Sequence, residues 1–162
     1  MASTHFYYGS PPPETNRPLR LGVTALIVRP SDGALLLDRR SDNGQWSVLG
    51  GALDPEEVPE LALAREVREE TGLTVVAHRL FGIQAHPTNI VAYPDGTVVR
   101  MLALVYVVSV AEPADPRMSK ESVELRFLSR AEVRDLLISP SLTAPSRPIL
   151  HQYLSGAMHY VG

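Results

Sequence analysis

The chain has 162 residues, 44% hydrophobic and 20% charged, which is typical of a single globular domain with its own core. Its net charge of -3 argues against duplex nucleic acid as a partner, because general nucleic-acid binders are basic, and the absence of cysteine excludes disulfides, thiol catalysis and cysteine-ligated zinc. The sequence has neither an apolar run of about 18 residues nor a recognisable signal peptide, so we expect a cytoplasmic protein without a membrane partner.

The first 18 residues differ in composition from the rest of the chain. They are rich in proline and poor in aliphatic side chains, which predicts a flexible N-terminal arm at 1–18 ahead of a single domain at 19–162. The aromatic cluster Phe6-Tyr7-Tyr8 is the exception. Three alternatives stay open for this cluster: it docks on the body of the chain, it docks on a second subunit of a homodimer, or it is part of a free tail.

Beyond the arm, apolar β-rich runs alternate with turn sequences. The predicted strands span residues 21–28, 34–38, 45–49, 74–83, 97–110 and 123–128. Residues 51–58 and 87–96 are predicted as loops. Strands on both sides of one central helix indicate an α+β or α/β sandwich, with a mixed sheet between helices.

The central helix is predicted to begin at Pro59, because proline fits the first helical position, and to stop at Gly72. The side chains expected to face the core are Leu63, Ala64, Val67 and Thr71. Two shorter helices are expected near the C-terminus. Ser129 is the predicted N-cap of the first, and the second covers 149–154.

The central helix also carries three acids, Glu66, Glu69 and Glu70, within about one third of its circumference. Like charges at these spacings destabilise a helix, which indicates that they have a use. Their simplest use is to bind a hard divalent cation, Mg²⁺ or Mn²⁺, through carboxylate oxygens.

The spacing of these acids carries a family resemblance. Gly51, Glu57 and the run Arg65-Glu66-Val67-Arg68-Glu69-Glu70-Thr71-Gly72-Leu73 together resemble a complete Nudix box, and flanking pieces extend the likeness over about 19–137. The resemblance implies an α+β fold of the αβα sandwich type. Leu49 and Glu56 stand where the family often has proline and glycine, and neither change removes a ligand.

The resemblance also implies roles for the matching residues. Binding of Mg²⁺ or Mn²⁺ falls on Gly51, Glu57, Glu66, Glu69 and Glu70, with Glu69 and Glu70 as principal ligands. Catalytic roles fall on Glu66, Glu69 and Arg65. Glu66 binds a further metal or acts as the general base, and Arg65 orients a glutamate through a bidentate ion pair that lysine cannot reproduce.

Other candidate residues lie outside the box. Many relatives supply a further carboxylate, for which we favour Glu121 over Glu124 because Glu121 lies in a predicted loop. Candidate phosphate contacts are Arg39, Arg40 and Arg100, and Tyr93 is a candidate for stacking on a base.

These residues and the resemblance together indicate metal-dependent hydrolysis of a diphosphate linkage in a small nucleoside diphosphate derivative. ADP-ribose or a nucleotide sugar is favoured by the long loop that ends at Tyr93-Pro94-Asp95-Gly96, with nucleoside di- and triphosphates close behind. The alternative is a Nudix-like module that binds a nucleotide as a sensor without turning it over.

Overall fold

In the computed structural model, residues 3–162 form ten strands and three helices; Met1 and Ala2, the start of the predicted arm, lie outside the described residues. The strands are β1 (His5–Phe6), β2 (Arg20–Val28), β3 (Leu35–Arg40), β4 (Trp46–Ser47), β5 (Leu49–Ala52), β6 (Val75–Gln84), β7 (Ile90–Ala92), β8 (Val98–Val110), β9 (Ser122–Leu128) and β10 (Tyr160–Val161). The helices are α1 (Pro59–Thr71), α2 (Arg130–Leu137) and α3 (Ser146–Leu154). None of the helices in this described part of the chain is long and apolar enough to cross a membrane.

Strand β8 is central to the mixed sheet. It pairs with β2 in parallel along one edge and with β6 in antiparallel along the other, and its first residues also pair with β7. Strand β2 in turn pairs with β5 and β3, and β3 pairs with β4 and β9, all antiparallel. Because both neighbours of β2 are strands and both of its faces are covered, residues 22–27 are buried, whereas Leu21, in the predicted strand 21–28, is 51% exposed.

The sheet separates two hydrophobic cores. On one face, α1 packs through Leu63 and Val67 against side chains of β2 and β8. On the other face, α2 and α3 pack through Val133 and Leu150 against the sheet. One helix on one face and two on the other make an αβα sandwich, so the predicted fold class is confirmed.

Helix α1 begins and ends where its sequence predicts. Pro59 is its first residue, and Gly72 ends it with φ of 71°, a left-handed conformation that glycine adopts without a steric penalty. The predicted core face needs one correction, because Ala64 is exposed and Ala62 is buried instead. Glu66 and Glu70 lie beside this buried face, where they pack against strand β5.

The two predicted loops each contain a strand. Gly51 and Ala52 belong to β5, where they pair with β2, so only residues 53–58 form the loop before α1. Residues 90–92 form β7, because Ile90 and Val91 are buried and pair with β8. The pairing of β5 with β2 joins distant parts of the chain, whereas β7 and β8 form a hairpin around the turn at 93–96, in which β7 is too short to stand out as an apolar run.

The N-terminal segment lies against β7. Strand β1 pairs with β7 in antiparallel, and the Tyr7 N–H donates to the Ile90 carbonyl at 3.0 Å. Farther along, the Asn16 N–H donates to the Val98 carbonyl at 3.0 Å. The structure therefore places the aromatic cluster on the body of its own chain, the first of the three alternatives.

Candidate active site

Two glycines of β5 bring this strand close to both β2 and α1. Gly50 has φ of 147°, and a Cβ at this position would overlap the Val23 carbonyl of β2. Gly51 has no such backbone constraint, but a Cβ there would overlap the carboxylate of Glu66. The glycine pair therefore lets the acidic face of α1 pack directly on a strand backbone.

Glu66 and Glu70 are the acids that α1 turns toward this strand. The Gly50 N–H donates to Oε2 of Glu70 at 3.2 Å. Burial, together with repulsion from Glu66, raises the pKa of Glu70 to about 8. Burial also raises the pKa of Glu66, despite its ion pair with Arg65. Two largely buried carboxylates side by side favour a positive charge between them.

Arg65 supplies part of that charge and orders the acids around it. Its Nε and Nη2 donate to the two carboxylate oxygens of Glu57, at 2.9 and 2.8 Å, which is a bidentate pair. Its Nη1 donates to Glu66 at 2.7 Å and to Glu69 at 3.3 Å, and its Nη2 also donates to the Ala52 carbonyl. One guanidinium thus contacts three acids of the motif and the glycine strand, an arrangement that requires its planar fork of donors.

The acids of the motif differ in exposure. The side chains of Glu57 and Glu66 are each 14% exposed, whereas that of Glu69 is 60% exposed. Glu57 and Glu66 therefore lie in the inner part of the cluster, and Glu69 lies at its rim.

Of the two candidate acids outside the motif, Glu121 acts on the acids of α1 and Glu124 does not. Glu121 is exposed in the loop before β9, and its charge adds to the rise in the pKa of both Glu66 and Glu70. Glu124, the less favoured alternative, instead faces Arg39 at 4.0 Å and Arg126 at 3.7 Å. The loop position that favoured Glu121 is observed, and its role as a ligand stays a prediction.

Asp38 is the acid that sequence reasoning missed. It lies on β3, burial raises its pKa, and its charge also contributes to the raised pKa of Glu70. Its Oδ1 is buried and finds no hydrogen-bond partner among residues 3–162. The available signal was a lone acid at the end of an apolar run, Leu35-Leu36-Leu37-Asp38.

A pocket of about 160 Å³ borders the glycine strand. Of the four predicted substrate contacts, Arg40 and Tyr93 line this pocket. Arg39 and Arg100 do not: Arg39 donates to the Gly44 carbonyl and Arg100 to the Ala85 carbonyl, both at exposed positions. The pocket is also lined by residues that sequence reasoning did not select, among them Thr4, Phe6, Gln84, Asn89 and Ser146.

The donor set fits a hard divalent cation in its chemistry. All candidate ligands are oxygens, from carboxylates and the Gly51 carbonyl, and Mg²⁺ and Mn²⁺ prefer such ligands. The buried charge of Glu70 and the unpartnered Oδ1 of Asp38 are further groups that a cation would stabilise. Within residues 3–162 no three acidic or histidine side chains are already gathered around one point, because Glu57 and Glu66 are turned to Arg65.

An αβα sandwich with acidic side chains on a strand, loop and helix is the architecture of one class of hydrolase domain, and comparison with known proteins confirms this class. The NUDIX domain model matches residues 18–153. The chain therefore belongs to the Nudix family, as the resemblance of its motif indicates.

Individual relatives agree with this membership. A MutT-like protein of Streptomyces ambofaciens is 43% identical over 84 residues, covering 51% of this chain and 54% of the relative. A protein named putative 8-oxo-dGTP diphosphatase 3, from Mycobacterium tuberculosis, is 35% identical over 134 residues, covering 77% of this chain and 59% of the relative. The chain thus spans little more than half the length of these two relatives.

A solved structure extends the likeness over almost a whole protein. The MutT protein of Methanosarcina mazei Go1 is 28% identical, has a TM-score of 0.69, and is matched over 88% of this chain and 98% of its own.

Proposed function

We propose that this chain is a metal-dependent pyrophosphohydrolase that cleaves a diphosphate linkage in a nucleoside diphosphate derivative. The observation that carries the proposal is the packing of Glu66 and Glu70 against the glycine strand that also borders the pocket. The acids themselves do not line the pocket, but Gly50 and Gly51 line it and also contact the carboxylates of Glu70 and Glu66, so the phosphates of a bound nucleotide would lie near the strand that joins the two. Family membership supports the same reaction class.

The residues that would hold the cation are the acids of α1, with the Gly51 carbonyl and Glu121. When bound, Mg²⁺ or Mn²⁺ neutralises phosphate oxygens and lowers the pKa of water. Arg65 keeps Glu57 and Glu66 in place through its ion pairs. Glu66, whose side chain is largely buried beside Gly51, is the candidate to accept the proton of the attacking water.

For the substrate, a nucleoside triphosphate of the 8-oxo-dGTP kind now has the better support. The relative that is 35% identical carries that name. The segment 87–96, whose predicted loop favours ADP-ribose, contains strand β7, so a long loop at this place does not distinguish the two substrate classes. ADP-ribose and nucleotide sugars stay the second candidates.

The test is a panel of 8-oxo-dGTP, dGTP, ADP-ribose and a nucleotide sugar, assayed for product with Mg²⁺ and Mn²⁺. Turnover that is lost in Glu66→Gln and kept in Asp135→Asn, an exposed acid of α2, is the expected result. Calorimetric Mn²⁺ binding to the same variants supplies a second readout. Tight nucleotide binding without turnover by the wild-type protein would instead identify a sensor, and full turnover in excess chelator would overturn the proposal.

A further inference from the structure

The N-terminal segment is fixed at the rim of the pocket by hydrogen bonds to β7 and to the turn before it. Phe6 stands opposite Val91 in the pairing of β1 with β7. The Gly9 N–H donates to Oγ1 of Thr88 at 2.8 Å, which anchors the chain after the strand. Residues 4–6 are thereby held in one place relative to the pocket.

The N-terminal segment also fixes the position of the Arg40 side chain. The Arg40 guanidinium lies over the Phe6 ring, 5.3 Å from its centroid, and donates to both oxygens of Asp42 at 2.9 and 2.8 Å. Burial alone would raise the pKa of Asp42, but hydrogen bonds from Arg40 and Thr4 outweigh it and lower this pKa. Arg40 is therefore held between an aromatic face and a carboxylate, each fixed in part by the N-terminal segment.

Phe6 and Arg40 line the same cavity as the glycine strand. Thr4, Phe6 and Arg40 line the pocket together with Gly50 and Gly51. Its volume of about 160 Å³ is below the roughly 300–1,000 Å³ of pockets that enclose a whole drug-sized ligand, so it suits one part of a nucleotide. The matched domain begins at residue 18, so this wall is built by residues outside the matched region.

We propose that Thr4 and Phe6 form a wall of the subsite for the nucleoside part of the substrate, and that Phe6 is a positioning residue that holds the Arg40 guanidinium over its ring. The inference deepens the proposed function and rests on it. The ligand class is a nucleoside monophosphate unit, recognised by a clamped cation and an aromatic ring at the pocket wall. Thr4 takes part through Asp42.

The test compares Phe6→Leu, which keeps apolar volume, with Phe6→Tyr, which keeps the aromatic face. The probes are 8-oxo-dGMP, dGMP and AMP, with binding measured by calorimetry and turnover measured on the matching substrates. We expect Phe6→Leu to weaken binding and raise KM by roughly 3- to 30-fold, the range for loss of a cation–π contact, with kcat changed by less than about twofold. Phe6→Tyr is expected to behave as the wild type.

Two controls separate positioning from folding. His5→Ala changes the neighbouring exposed residue of β1 and is expected to leave binding unchanged. In the double variant with Arg40→Gln, Phe6→Leu is expected to add little, because its effect passes through Arg40. Equal losses in Phe6→Leu and Phe6→Tyr with a lowered melting temperature would overturn the inference.

The outcomes also separate this inference from the proposed function. Wild-type turnover with unchanged KM and binding in Phe6→Leu would refute the role of the N-terminal segment alone. Wild-type binding of a probe that weakens in Phe6→Leu, without turnover of any substrate, would support the segment and refute the hydrolase. Failure of all three probes to bind the wild-type protein would overturn the subsite.

Discussion

The carboxylate of Glu66 lies against the backbone of Gly51 so closely that residue 51 has no room for a Cβ. The neighbouring Gly50 is confined for a different reason: its φ of 147° is unfavourable for other residues, and its Cβ would meet backbone atoms of Val23 and Thr24. Two adjacent glycines thus serve two different needs. Gly51 makes space for a site side chain, and Gly50 makes space for the sheet itself.

The first prediction follows from this difference. Gly51→Ala is expected to fold, because the group in its way is the end of a flexible side chain, but to displace Glu66 and lower Mn²⁺ affinity and turnover at least about tenfold. Gly50→Ala is expected to lower the free energy of unfolding by several kcal/mol, on the order of the cost of strain plus overpacking. Thermal unfolding and Mn²⁺ calorimetry on both variants check this. A Gly51→Ala variant with normal Mn²⁺ affinity would contradict it.

The second prediction concerns Arg65, which contacts Glu57, Glu66 and Glu69 at once. Lysine keeps the charge but cannot supply the bidentate pair and the further donors, so Arg65→Lys is expected to lower Mn²⁺ affinity or turnover about 10- to 100-fold. The matched control is Arg68→Lys on the exposed face of the same helix. Calorimetric Mn²⁺ titrations and kcat/KM are the measurements, and equal behaviour of the two variants would show that only the charge of Arg65 matters.

The parts of the fold that could be predicted are those with local causes. Proline fits the first turn of a helix and glycine fits its left-handed end, so Pro59 and Gly72 mark α1 in the sequence itself. The capping box at the start of α2 is equally local, with Ser129 and Glu132 bonded to each other's backbone N–H. The spacing of the acids along α1 is local too, and it identified the family.

The parts that could not be predicted depend on pairing between distant residues. Strand β7 has only three residues, and although it forms a local hairpin with β8, its other partner β1 lies far away in the sequence, so 87–96 alone does not reveal it. The side of α1 that carries Glu66 and Glu70 packs against β5, a strand from an earlier part of the chain. Ala62 lies on that side, one helical turn before Glu66, so Ala62 is buried and Ala64 is not. Asp38, on β3, acts on Glu70 of α1 only in the folded chain, because the two residues are far apart in the sequence.

The third prediction concerns pH and the hairpin between β2 and β3. Hydrogen bonds from the Arg29 side chain and the Ala34 N–H to Asp32 lower the pKa of this acid to about 2. The folded-state pKa lies below the unfolded one, so this stabilisation is fully present above about pH 4 and is lost as the pH falls through about 2. Asp32→Asn is therefore expected to be less stable than the wild type near neutral pH, with a difference that shrinks as the pH falls and disappears only well below pH 2.

Urea unfolding at a series of pH values measures this difference. Arg29→Gln provides the matched partner variant, and the double variant is expected to lose less stability than the sum of the two single variants, because both remove the same ion pair. A difference between Asp32→Asn and the wild type that stays constant with pH would exclude the ion pair as its cause.

The fourth prediction tests the charge of Glu70 in the metal-free protein. Burial and the nearby Glu66 disfavour the ionised form and raise the pKa of Glu70 to about 8, so at about pH 9 the folded protein holds an unfavourable charge. Glu70→Gln removes it and is expected to raise the melting temperature in chelator, by roughly 2–4 °C for each kcal/mol gained. With Mn²⁺ the order of the two melting temperatures is expected to reverse, because Mn²⁺ binding stabilises the wild type and the amide of Glu70→Gln binds the cation weakly.

The control is Glu69→Gln at the exposed rim, which is expected to leave the metal-free stability unchanged. Destabilisation of metal-free Glu70→Gln at that pH would show that the Gly50 N–H alone makes the charge favourable there.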